Sequence, residues 1–243
     1  MAPFLRALVA SIAFYINTIL WMVICLPGLA LPRHLAWNIV LGWAKSSLWL
    51  TKVIAGIDYR IEGRENLPQG AAIVAPKHQS AWETFAVVPL LKSPVFILKK
   101  ELMWVPLFGW YLARFGSIPV DRGKGGAALR AMSEAAVDAL EKGRQIVIFP
   151  EGTRRPVGAE PRYKFGVARI YAMLGVPVVP VALNSGLYWP RRKMRRYPGT
   201  VTVKVLPAIA PGHDPETFLK ELETAIETET DRLVAEGRAR DFS

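Results

Sequence analysis

The sequence contains a single cysteine, Cys25. No disulfide can form within the chain, and a zinc site built from cysteines is excluded. The thiol sits in an apolar run, where cysteine ordinarily packs as a small hydrophobe. Also absent are the Gly-x-Ser-x-Gly turn that exposes a serine nucleophile, the His-Glu-x-x-His helix of zinc proteases, and Walker-type phosphate loops. These absences predict no metal, no cofactor and no nucleotide hydrolysis. Acidic residues are scarce, 20 against 31 Lys and Arg, giving a formal net charge of +11. That excess suits nucleic acid, an anionic membrane or an acidic substrate. With no nucleic-acid-binding module or aromatic platform beside the basic residues, nucleic acid is not the expected partner and membrane lipid is.

Charge is missing altogether between Arg6 and Arg33, a stretch of 26 residues. About 20 apolar residues suffice for a helix to cross a bilayer. Pro27 bends or ends this run. No small-x-small cleavage site stands near Leu29-Ala30-Leu31-Pro32, so the segment is expected to be retained. A second segment, 35–57, sets Asn38, Gly42, Lys45 and Lys52 near one helical face and covers the rest with Trp37, Val40, Leu41, Trp43, Leu48 and Trp49. Tryptophan and lysine together suit the headgroup level, where each is partly wet. Residues 1–57 therefore read as a two-helix membrane anchor, either a hairpin dipping into one leaflet or a crossing. Two buried core helices are the competing reading. Arg6 and Arg33 flank the first segment with like charge, so the positive-inside rule gives no orientation.

From residue 58 to 243 the pattern fits one domain. Runs rich in Val and Ile predict strands at 57–62, 71–75, 95–99, 117–120, 145–149, 178–183 and 200–206. Helices are expected at 81–91, 126–142, 164–174 and 215–235, the last capped by Asp214 with Pro215 at its first position. This alternation is α/β: a mostly buried mixed sheet flanked by helices.

The chemistry concentrates at His78, expected in the turn after a strand, and Glu83, five residues on. On one continuous helix the two would stand about 140° apart. The histidine must therefore precede the helix, with the carboxylate in its first turn. The turn can then fold Nδ1–H onto the carboxylate and leave Nε2 to take a proton from an alcohol. Ser80-Ala81-Trp82-Glu83 is also a capping box, so Glu83 is expected to divide its two oxygens, one per duty. Arg122 ends a strand-like segment, where a guanidinium can fork onto a phosphomonoester or pair with Asp121 or Glu151. Gly152 lets backbone approach a ligand closely, and Arg154 adds positive potential. Five cations among the six residues 191–196 make a solvated loop, a patch for anionic lipid, or a dock for an acidic carrier protein.

Four blocks occur in order: Lys77-His78-Gln79-Ser80-Ala81-Trp82-Glu83, Gly116-Ser117-Ile118-Pro119-Val120-Asp121-Arg122, Phe149-Pro150-Glu151-Gly152-Thr153-Arg154, and Val176-Pro177-Val178-Val179-Pro180-Val181. Together, over about residues 56–206, they resemble the lysophospholipid acyltransferase family and its bacterial 1-acylglycerol-3-phosphate acyltransferases. Glu83 stands where aspartate is commoner, Lys77 where asparagine or arginine is more usual, and Pro119 interrupts the second block. The resemblance implies transfer of a fatty acyl group from acyl-CoA or acyl carrier protein to the sn-2 hydroxyl of lysophosphatidic acid, giving phosphatidic acid. By the same resemblance, Gly116 and Arg122 line the acceptor phosphate site and Glu151, Gly152 and Thr153 form the turn that holds the acceptor. One of Lys99 and Lys100 helps hold phosphate, or both lie on a solvated face, and the resemblance assigns the fourth block to acyl-donor binding, with a plain edge or core strand as the alternative. It favours the hairpin anchor, and the expected location is the cytoplasmic face of the bacterial inner membrane, where thioesters are found. Another lysolipid acceptor, such as lyso-ornithine lipid, a thioesterase or phospholipase using the same histidine on water, and a noncatalytic lipid-binding protein stay open.

Overall fold

A computed structural model describes residues 3–121 and 125–242. Seven strands form one mixed sheet: β1 (Ile57–Glu62), β2 (Ala72–Pro76), β3 (Pro94–Lys99), β4 (Ile118–Val120), β5 (Gln145–Val147), β6 (Val178–Leu183) and β7 (Gly199–Val205). Their order is β1-β7-β6-β2-β5-β3-β4. All neighbours are parallel except β6 and β7, which run antiparallel. Every residue of the central strands β2, β5 and β6 is buried, as continuous apolar runs covered on both faces require.

Side-chain alternation divides the interior into two layers. On one face Val74, Val147, Val181 and Leu183 pack with Trp82, Phe85 and Tyr188. On the other Ile73, Ala75 and Ile146 meet α5 (Gly125–Glu141), α6 (Phe165–Leu174) and α8 (Pro215–Asp241) through residues such as Met132, Ile170, Phe218 and Ile226. Asp214 caps α8 as expected: its Oδ1 accepts from the amides of Glu216 and Thr217 at 3.1 and 3.0 Å. The expected helix at 81–91 is instead α3 (Trp82–Ala86) followed by a 3₁₀ turn, Val88–Leu90. Pro89 has no amide hydrogen and disfavours helical backbone at the residue before it, so the α-helix stops short.

The first apolar segment forms α1 (Pro3–Ile24), which ends before Pro27. The second forms α2 (Arg33–Leu50) and a π-helical turn, Thr51–Ala55. Among the described residues α1 alone is long and apolar enough to cross a membrane. It packs against α2 through a polar seam: Asn17 exchanges hydrogen bonds with Ser46 and Ser47 at 3.1 Å each, and Trp43 donates to Thr18 at 3.1 Å. Gly42 makes the approach possible, since a Cβ there would fall 2.2 Å from Trp21. The opposite side of α1 leaves Ile12, Ile16, Ile19, Leu20 and Val23 exposed.

The topology positions the site. In parallel sheets ligands gather beyond the carboxyl ends of the strands. There β2 runs into His78, its neighbour β5 runs towards Phe149 and Glu151, and its other neighbour β6 runs into Ser185. The short helices α4 (Phe108–Arg114) and α7 (Ser185–Tyr188) complete the fold.

Candidate active site

β2 ends at Pro76, and the chain turns through His78 into α3, bringing Glu83 back to the histidine. His78 Nδ1 lies 2.9 Å from Glu83 Oε1. An ionised carboxylate only accepts, so Nδ1 carries the hydrogen, and in the neutral imidazole Nε2 then keeps its lone pair. The same Oε1 accepts from the amides of Gln79 and Ser80 at 2.7 and 2.6 Å, while Oε2 takes the Ser185 hydroxyl at 2.7 Å. The expected division of duties was different: a single oxygen both orients the histidine and closes the capping turn, and the other is held by α7. Glu83 is wholly buried, and four donors satisfy its charge there.

The loop after β5 fixes the histidine from its other side. The His78 amide donates to Glu151 Oε2 at 3.0 Å, and its carbonyl accepts from the Arg155 amide at 2.7 Å. The imidazole stacks on Phe149, ring centroids 4.1 Å apart. Glu151 Oε1 meets the Lys77 ammonium at 3.0 Å, and that ammonium reaches Glu227 of α8 at 2.6 Å. Tyr163 donates to the same Glu227 oxygen at 2.7 Å. Lys77 and Glu151 are buried. Burial pushes the Glu151 carboxyl up from its ordinary value, while Lys77 and the His78 amide pull against that rise. Burial, then the charge of Glu227, pushes the Tyr163 phenol upward and keeps it a donor.

A cavity of about 1040 Å³ opens beside the histidine. His78, Gly152, Thr153 and Arg154 line it, with Lys99, Lys164, Arg191 and Arg192 as further polar walls. Trp21, Trp43, Phe96, Leu112, Phe115 and Met132 are among its apolar walls. No Asp or Glu lines it among the described residues. Gly152 takes φ 65°, a left-handed turn natural to glycine.

The other candidates stand elsewhere. Glu83 and Glu151 lie behind the histidine. Lys100 Nζ pairs with Asp121 at 2.5 Å and stands 5.7 Å over the Trp104 ring. Gly116 follows α4 at φ 70°, where a Cβ would come within 3.0 Å of the Arg144 guanidinium. Arg122 lies outside the described residues. Of the fourth block, β6 is buried, and Val181 hydrogen-bonds the Lys77 amide at 2.8 Å, bracing the first block from below. Sequence reasoning missed Ser185, Glu227 and Tyr163, which nothing nearby in the chain marks. Lys77 was visible only as an unusual residue.

A family model described as "Acyltransferase" matches residues 58–184. A 1-acyl-sn-glycerol-3-phosphate acyltransferase of Pseudomonas aeruginosa is 40% identical over 181 residues, 74% of this chain and 70% of that protein. One from Cocos nucifera is 34% identical over 153 residues, 62% of this chain and about half, 49%, of its own length. The crystal structure of the 1-acyl-sn-glycerophosphate (LPA) acyltransferase PlsC from Thermotoga maritima superposes with a TM-score of 0.79 at 25% identity, covering 94% of this chain and 96% of that one. With His78 and Glu83 paired at the carboxyl edge of such a sheet, and the matched segment running from β1 to the residue after β6, the chain belongs to the acyltransferase family.

Proposed function

We propose that this chain transfers a fatty acyl group from a thioester, acyl-CoA or acyl carrier protein, to the sn-2 hydroxyl of 1-acylglycerol 3-phosphate, giving phosphatidic acid. The observation that carries the reading is His78 at the cavity wall, its Nδ1 held on a buried carboxylate and its Nε2 left for the acceptor. Nε2 takes the hydroxyl proton as the alcohol oxygen attacks the thioester carbonyl. The C–O bond forms, the C–S bond breaks, and the leaving thiolate collects the proton from the imidazolium, whose charge Glu83 stabilises. Positioned general-base catalysis of this kind typically contributes about 10²–10⁴-fold.

Two features support the acceptor. The cavity joins apolar walls, suited to acyl chains, to five cations, Lys99, Arg154, Lys164, Arg191 and Arg192, suited to a phosphomonoester. The activity for which the similar proteins are named involves the same acceptor. In this reading Gly152, Thr153 and Arg154 contact substrate, while Glu151 acts indirectly by fixing His78.

α1 attaches the enzyme to the membrane. At 1.5 Å per residue, its 22 residues are about 33 Å long. It is tied to the body near both ends: Arg6 donates to the Ile54 carbonyl at 2.6 Å and Tyr111 to the Met22 carbonyl at 3.1 Å. A crossing would drag these partners into hydrocarbon, so α1 lies along one leaflet with its exposed apolar row inward. The cytoplasmic face of the inner membrane, where thioesters are made, is the placement that fits.

The test is product analysis with labelled acyl-CoA or acyl carrier protein and lysophosphatidic acid, comparing wild type with His78→Ala. Phosphatidic acid from the wild type alone is expected. Thiol release without ester would instead establish a hydrolase, and ester formation only with other lysolipids would move the acceptor.

A further inference from the structure

α1 is not the only apolar surface left uncovered. Leu102, Trp104, Val105 and Trp110 are 38, 72, 42 and 57% exposed, within nine residues of one another. A large, contiguous, exposed apolar patch on a protein marks an interaction site. The turn within this segment is tight. A Cβ on Gly109 would fall 2.0 Å from the Met103 carbonyl oxygen, so the turn between the 3₁₀ segment Lys100–Trp104 and α4 closes only around glycine. The tryptophans are therefore presented by a fixed turn.

This patch adjoins the end of α1. Tyr111 of α4 donates to the Met22 carbonyl at 3.1 Å, and Arg114 donates to the Leu29 and Leu31 carbonyls at 2.9 and 2.5 Å, across the turn that follows α1. Leu102, Phe108 and Tyr111 also share the cavity wall with Trp21 and Met22. The segment thus has one side on the cavity and another open to the surroundings, beside the exposed end of α1. Its composition suits lipid: two tryptophans whose rings favour the boundary between acyl chains and headgroups, with Lys99 and Lys100 next to them.

We infer that residues 102–110 form a second membrane contact, with Trp104 and Trp110 seated at the headgroup boundary of the leaflet in which α1 lies. The inference rests on the proposed attachment through α1. Two contacts separated in sequence fix the tilt of the body, and they place the cavity wall between them against lipid.

The test uses the full chain with Cys25→Ser and single cysteines introduced by Ile16→Cys, Trp104→Cys, Trp110→Cys or, as an aqueous control, Lys142→Cys, each spin-labelled and bound to vesicles containing phosphatidylglycerol. Labels at 16, 104 and 110 should collide more with oxygen than with a nickel chelate, and the label at 142 the reverse. Aqueous behaviour at 104 and 110 with lipid contact at 16 would overturn the second contact and leave the α1 attachment standing. Aqueous behaviour at all positions would overturn both. Spin–spin coupling between copies at 104 or 110 would overturn it too, because a second chain would then cover the patch. Hydrogen exchange on the unsubstituted protein guards against a misfolded variant: vesicles should slow exchange at 100–112, and no slowing there beside protection of α1 would also sink the idea.

Discussion

The Lys77 ammonium stands 2.6 Å from Glu227 Oε1 and, through its second partner Glu151, holds the amide of His78. α8 therefore braces the turn that carries His78 from 150 residues away in the chain. Removing the cation leaves Glu151 buried beside nothing to balance it, a loss of about 3–5 kcal/mol when one partner of a buried pair is deleted. Lys77→Met should lower the unfolding free energy by that order in urea titrations. Glu227→Gln, which leaves the Lys77–Glu151 pair in place, should cost less. In the folded fraction both should reduce kcat while leaving KM for lysophosphatidic acid nearly unchanged, because the residues position the base and do not touch substrate. A rise in KM alone would assign them to binding.

Glu83→Gln separates charge from hydrogen bonding. The amide oxygen can still accept from the Gln79 and Ser80 amides, and Ser185 can turn its hydroxyl to accept from the new NH₂. What is lost is the negative charge that stabilises imidazolium. A fall in kcat of about 10²–10⁴-fold with a nearly unchanged melting temperature is expected. Turnover close to wild type would remove Glu83 from the mechanism and leave it a capping residue.

The pairing of His78 with Glu83 was legible in the chain because it is local: five residues and one helix start decide it. The same holds for Asp214 capping α8, for β1 at Ile57–Glu62 and for β6 at Val178–Leu183, where a Val- and Ile-rich run or a capping signal is contained in one short stretch. Ser185 and Glu227 were not legible. They reach the site because β6 lies beside β2 and α8 crosses β6, and strand order is set by long-range pairing rather than by neighbouring residues. α4 also escaped notice: Phe108–Arg114 is too short to display helical periodicity. At Glu83 the residue type foretold the carboxylate's partners in part. That one oxygen would serve both duties depended on Ser185 claiming the other.

The cationic wall predicts how the acceptor is held. Arg154 and Arg192 are exposed and line the cavity, and Arg191 donates to the Arg154 carbonyl at 2.6 Å. A hydrogen bond to a charged group contributes about 1.5–3 kcal/mol. Arg154→Ala should therefore raise KM for lysophosphatidic acid by roughly ten- to a hundredfold, and Arg192→Ala should raise it in the same direction. Both effects should shrink as salt increases. Monoacylglycerol, which lacks the phosphate, should show no such penalty when assayed at high concentration. An equal penalty on monoacylglycerol would move these arginines from phosphate recognition to maintaining the loop.

Tyr188 ties the end of α8 to the sheet, and its ionisation sets a limit on alkaline stability. Its buried hydroxyl donates to Asp241 at 2.6 Å, and Asp241 also accepts from the Thr200 amide of β7 at 3.2 Å. Burial first, and then the bond to Asp241, pushes the phenol from its ordinary value of 10.0 to about 12. A proton held more tightly in the folded state than in the unfolded chain adds stability that is full where both keep it and declines once the unfolded chain begins to release it. The contribution is thus complete below pH 10 and is lost as pH rises towards and through about 12. Tyr188→Phe should lower stability by about 0.5–1.5 kcal/mol at neutral pH, the ordinary worth of one hydrogen bond. It should also flatten the decline between pH 10 and 12 relative to wild type. Urea unfolding across that range, with tyrosinate absorbance followed in parallel, measures both. A wild-type curve that falls no faster than that of Tyr188→Phe would show that the hydroxyl titrates alike in the folded and unfolded chains.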